Sequence, residues 1–126
     1  MMHQFVLVAL GGALGSCLRH LVNLGSARLF GVGFPWGTLG VNIFGSFLMG
    51  VFVELLLRRF EGSPELRLLV ATGFLGGFTT FSAFALDTAD LYGRGVPAQA
   101  FFYVAASVLF SLAALFAGMW LAKGLA

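Results

Sequence analysis

GGFTTFSAF, residues 76–84, sits in the middle of an uncharged run, 68–86, and sets two glycines and three hydroxyls among phenylalanines. Gly76, Gly77, Thr79, Thr80 and Ser82 each weaken a continuous helix, through backbone entropy or through side chains that compete for main-chain hydrogen bonds. What that weakness means depends on the surroundings of the stretch.

Those surroundings are a membrane. Hydrophobic residues make up 60% of the 126 and charged residues 10%, and the mean hydropathy is +0.99, which leaves too little polar surface to coat a soluble globule. The charges divide the chain into uncharged runs, and 1–18, 29–53, 68–86 and 95–122 are long enough to cross ~30 Å of hydrocarbon as helices. The expected fold is an all-α integral membrane protein of one domain, 1–126, with helices at about 3–25, 35–60, 64–92 and 97–123 and the third broken near 76–82. No Lys or Arg precedes the first apolar run, which argues against a cleaved signal peptide. The single Cys17 cannot form an internal disulfide.

Loop chemistry sets the boundaries. Helix one is expected to end near Asn23 to Ser26, and the stretch Gly31 to Gly37 leads through Pro35 into helix two. Ser63 as N-cap and Pro64 at the first helical position open the third span, and Tyr92 to Pro97 is the turn into the fourth. Trp36 and Trp120 are interface anchors. Glu54 with Arg58 and Asp90 with Arg94 stand four apart and are read as helix-surface ion pairs.

Charge asymmetry across the spans is small. Arg58, Arg59, Arg67 and Lys123 fall on one side, against Arg28, Arg94 and, near a helix end, Arg19 on the other. Such a chain can insert both ways, and the natural product is an antiparallel homodimer, the single-gene counterpart of an inverted repeat. Small residues four apart, such as Gly11 with Gly15, Gly73 with Gly77, Ser46 with Gly50 and Ala114 with Gly118, suit close helix packing.

Polar residues at span depth carry the functional signal. Thr38, Asn42 and Ser46 recur at helical spacing on the second span, as do Tyr103, Ser107 and Ser111 on the fourth. Polar groups in hydrocarbon are costly unless protein or water satisfies them, so both stripes belong in the interior or along a cavity. A break in the third span has two readings. It is an ion site, since broken helices expose carbonyls to cations and N-termini to anions, or it is a kink packed against a neighbour. Phe81 and Phe84 share one face of a helical second half, and their electropositive ring edges can meet an anion without a full charge.

In order and spacing, GGALGSCLRH (11–20), WGTLGVNIFGSFLMG (36–50) and TGFLGGFTTFSAF (72–84) resemble the motifs of the Fluc (CrcB) family of bacterial fluoride channels, and the likeness covers nearly the whole chain. The resemblance implies a dual-topology homodimer in the bacterial inner membrane that passively exports cytoplasmic fluoride through two pores. It also implies a structural sodium ion held by the backbone carbonyls of Gly76 and Thr79 of both subunits. By the same resemblance Phe81 and Phe84 are pore phenylalanines, Asn42 is an amide donor, and Tyr103, Ser107 and Ser111 form a hydroxyl track. Thr38 and Thr80 are further pore contacts, and Arg19 lies near the vestibule. Where family members commonly read TTFSTFSLE, this chain has TTFSAFALD, with Ala83, Ala85 and Asp87 at the changed positions.

Two other classes share the four-span layout or the small-residue packing. A proton-coupled small multidrug transporter needs an embedded carboxylate in helix one, and residues 1–18 contain none. A purely structural membrane subunit accounts for the glycines but leaves the hydroxyl stripes idle. No nucleophile, base and orienter can be grouped from the sequence, so no enzyme is expected, and no nucleic-acid partner.

Overall fold

The computed structural model describes residues 1–125, and its regular structure is entirely helical. Helix one runs Met2–Phe30, helix two Trp36–Arg59, the third span Pro64–Gly93 and helix four Pro97–Leu125, and each is long and apolar enough to cross a membrane. Helix one outruns its expected end near Asn23 to Ser26, because Gly25 stays helical in open space. The stop falls instead at Gly31, whose φ of 77° is easy only for glycine and whose N–H caps the Ala27 carbonyl at 2.9 Å.

Helices two and four pack along each other, and helix one packs on the first part of the third span. Glycine makes both approaches possible. A Cβ on Gly118 would overlap the Phe47 carbonyl oxygen and one on Gly50 the Leu115 carbonyl oxygen, so each helix presses its backbone into the other's glycine. Gly11 and Gly15 do the same against the Leu69 and Phe74 carbonyls of the third span. On the outward side, helix one exposes Phe5, Leu10, Leu14 and Leu21, and only Gly11 and Gly15 are buried along its length. Such a surface suits lipid or another membrane helix, not water.

The third span starts as the sequence suggests, with Pro64 at the first position and the Ser63 hydroxyl accepting the Leu66 N–H at 3.3 Å. It then widens into a π-helix over Arg67–Leu75, for which composition and periodicity give no signal. Gly76–Phe78 returns to α geometry, after which Thr79 (φ −87°, ψ 159°) and Thr80 (φ −153°, ψ 125°) are extended, and Phe81–Gly93 is helical again. The span is bent rather than split apart. Gly76 and Gly77, read from sequence as part of the weak point, remain helical. Gly77 is there because a Cβ would come within 2.7 Å of the Gly12 carbonyl oxygen, whereas two β-branched threonines adopt the extended turn without strain. The Thr80 hydroxyl then caps the second half by accepting the Ala83 N–H at 3.1 Å.

A buried cluster of Leu39, Phe84, Leu91, Ala100, Tyr103 and Ala106 ties that second half to helices two and four. The ion pairs form as their spacing suggests: Arg58 Nε lies 3.0 Å from Glu54 and Arg94 2.9 Å from Asp90. Lys123 also approaches Glu54, at 4.0 Å.

Candidate functional site

The interruption at Thr79 and Thr80 is fastened to helix two by one side chain. Asn42 accepts the Thr80 N–H at 2.7 Å through Oδ1 and donates to the Thr80 carbonyl at 3.0 Å through Nδ2. An amide is the one uncharged side chain that offers donor and acceptor in this pairing, and it satisfies both main-chain groups of an extended residue at membrane depth. One Nδ2 proton stays uncommitted. Asn42 also lines a pocket of about 340 Å³ together with Ser46, Thr79, Thr80, Phe81, Phe84, Ser107 and Ser111, and among the described residues no charged side chain lines it.

Two hydroxyls of that pocket are conspicuous. Ser107 Oγ and Ser111 Oγ are buried and have no hydrogen-bond partner among the described residues. A buried serine normally returns its proton to a helix carbonyl, and leaving it unmade costs about 1–3 kcal/mol, so two such groups one turn apart on one pocket wall call for an acceptor. Phe81 and Phe84 close the pocket with ring centroids 5.4 Å apart and planes at 60°. Phe84 is buried while Phe81 is 78% exposed, its ring reaching beyond the chain's own surface.

Tyr103 stands one turn further along the hydroxyl stripe but outside this pocket. It is completely buried, packed between Phe34 at 5.5 Å and Phe84 at 5.3 Å, and its hydroxyl donates to Asp87 Oδ2 at 3.0 Å. Asp87 in turn lines a second pocket, of about 280 Å³, shared with Thr38, Asn23, Ser26, Asp90 and Arg94. The stripe of helix two therefore touches both pockets, Thr38 the second and Asn42 with Ser46 the first, with Phe84 and Tyr103 between them. Sequence reasoning gave Asp87 no role. Its tie to Tyr103 joins residues on neighbouring elements at a separation with no helical periodicity, so no local pattern reveals it.

Main-chain oxygens at the break divide into two sets. Leu75 accepts the Thr79 N–H at 3.0 Å and the Thr79 hydroxyl at 2.8 Å, Gly77 accepts from Arg19 Nε at 3.1 Å, and Thr80 accepts from Asn42. Outside the helical ladder, the carbonyls of Gly76, Phe78 and Thr79 accept none among the described residues. Free carbonyl oxygens of this kind are hard ligands of the sort that alkali cations take. Arg19 lines neither pocket, because its guanidinium turns to the Gly77 carbonyl.

Chemically, the first pocket offers hydroxyl and amide donors and aromatic edges with no fixed charge. That set can replace the hydration of a small anion at several moderate sites without trapping it.

Comparison with known proteins points the same way. The family described as CrcB-like protein, Camphor Resistance (CrcB), matches residues 6–119. A protein of Mesorhizobium japonicum named fluoride-specific ion channel FluC is 54% identical over 124 residues, covering 98% of this chain and 99% of its own. Proteins of the same name from Chelativorans sp. strain BNC1 and Rhizobium etli are 55% and 56% identical over 124 residues, with the same coverage. With bacterial relatives across its whole length and four apolar spans, the chain is a multi-pass bacterial membrane protein. It belongs to the CrcB family.

Proposed function

We propose that this protein is a fluoride-selective ion channel, which passively exports cytoplasmic fluoride down its gradient. The observation that carries the reading is the pair of buried hydroxyls of Ser107 and Ser111, which have no hydrogen-bond partner among the described residues and belong to residues that line a chargeless pocket together with Asn42, Phe81 and Phe84. The names of the relatives support fluoride as the ion.

In this reading fluoride sheds water at the pocket and takes up donors in turn from Asn42, Ser107 and Ser111, with Thr80 beside them and the phenylalanine edges closing the sides. Tyr103 and Thr38 extend the track toward the second pocket. The functional unit is an antiparallel homodimer with two pores. The weak charge asymmetry supports that, as does Phe81, which is too exposed in one chain to wall a pathway alone. Sodium at the centre of the pair fits the residues present, because the Gly76 and Thr79 carbonyls have no donor outside the helical ladder among the described residues. A bound sodium would supply positive charge and a fixed geometry for the bent segment.

Fluoride efflux from reconstituted vesicles without a proton gradient tests the proposal. Rapid efflux is expected with chloride left behind, and vesicles that hold their fluoride would end it. A proton-coupled antiporter would instead need an imposed gradient.

A further inference from the structure

The Gly77 carbonyl closes the first half of the third span, where a helix end leaves oxygens without main-chain donors. It is held from helix one. Arg19 Nε donates to it at 3.1 Å, and Ser16 Oγ stands 3.5 Å away. The other side of the same residue is confined by the Gly12 carbonyl, which a Cβ on Gly77 would meet at 2.7 Å. The peptide plane of Gly77 is thus gripped between Gly12 and Arg19, with the Gly76 carbonyl directly before it and the Thr79 carbonyl two residues after it.

We propose that Arg19 is a positioning residue for the cation site: by fixing the Gly77 carbonyl through its Nε–H, it sets the directions of the Gly76 and Thr79 carbonyls that sodium takes. This rests on the sodium reading above. It departs from a role at the pore mouth, where Arg19 would attract anions by charge alone. The two roles give opposite signs. A guanidinium close to a cation repels it, so charge alone makes Arg19 weaken sodium binding, whereas holding the carbonyls in place strengthens it. Lysine separates them again, since it keeps the charge but replaces a rigid planar donor with a hydrated point charge on a flexible stem.

The experiment uses the full-length protein purified in detergent. Thermal midpoints are followed as sodium replaces N-methylglucamine at constant ionic strength, alongside fluoride efflux from vesicles, for the unmodified chain, Arg19→Gln and Arg19→Lys. The unmodified chain should be stabilised by sodium. Both variants should need about tenfold more sodium for half the stabilisation, the loss of one charge-assisted hydrogen bond, and should lose flux alike. Normal sodium dependence in Arg19→Lys, or tighter binding in Arg19→Gln, overturns the positioning role while leaving the channel reading intact. An unmodified chain indifferent to sodium removes the sodium reading and this inference together. If neither variant assembles, ¹⁵N-arginine labelling of the unmodified protein decides: a slowly exchanging Nε–H supports the tether, and one exchanging at the solvent rate refutes it.

Discussion

Asn42 and Thr80, on different spans and 38 residues apart, hold each other by two hydrogen bonds, Thr80 N–H to Oδ1 at 2.7 Å and Nδ2–H to the Thr80 carbonyl at 3.0 Å. Asn42→Asp keeps the acceptor and loses the donor, leaving the Thr80 carbonyl unpaired beside a new negative charge. Fluoride flux should fall by at least about tenfold, since an anion would meet repulsion where it had an amide proton. Efflux from vesicles, with size-exclusion chromatography to show that assembly persists, checks the outcome. Unchanged flux would remove Asn42 from the path.

Ser107 and Ser111 allow a prediction in which stability and function part company. Because both hydroxyls are buried without partners, Ser107→Ala and Ser111→Ala should leave the protein as stable or raise stability by about 1 kcal/mol each in fluoride-free buffer. Flux should drop in both, and furthest in the double variant. A loss of stability would mean that these hydroxyls have protein partners, and the track would then lack its donors.

The glycines sort into two kinds by what surrounds them. Gly118 faces the Phe47 carbonyl with no room for a Cβ, whereas Gly25 lies in helix one with nothing within 4 Å. Gly118→Ala should destabilise by about 1–3 kcal/mol as helices two and four are pushed apart. Gly25→Ala should stabilise by about 0.5–1 kcal/mol, since alanine loses less backbone entropy in a helix. Thermal unfolding in detergent compares the pair, and equal shifts would mean that the contact between helices two and four is looser than the structure has it.

How much of this was legible in the residues follows from what each feature depends on. The four spans were readable from the charges that interrupt them, and the Ser63–Pro64 start from capping chemistry, because both are local. The interruption was visible in Gly76 to Phe84, yet its position within that stretch depends on which glycines helix one needs, a tertiary fact that moves it to Thr79 and Thr80. The π-helix over Arg67–Leu75 and the Tyr103–Asp87 bond were not legible, since neither has a periodicity. The polar stripes were legible as stripes. Their division between two pockets was not, because that division is made by Phe84 and Tyr103 packing across elements.

Phe81 and Phe84 are three apart, with centroids at 5.4 Å, and differ sharply in burial. Phe84 packs on Tyr103 in the buried cluster, so removing its ring opens a core cavity and mixes folding with function. Phe81 is 78% exposed and bears little on the fold of the single chain, which makes it the cleaner probe. Phe81→Ile keeps an apolar side chain of useful bulk but deletes the electropositive ring edge, so any anion contact through that edge goes with it. Flux should fall by about tenfold or more, with assembly and thermal midpoint nearly unchanged. Phe81→Tyr, which retains the ring edge, should conduct better than the isoleucine variant. Were the isoleucine variant to conduct as well as the unmodified chain, the rings would be packing residues and the pathway would have to run elsewhere.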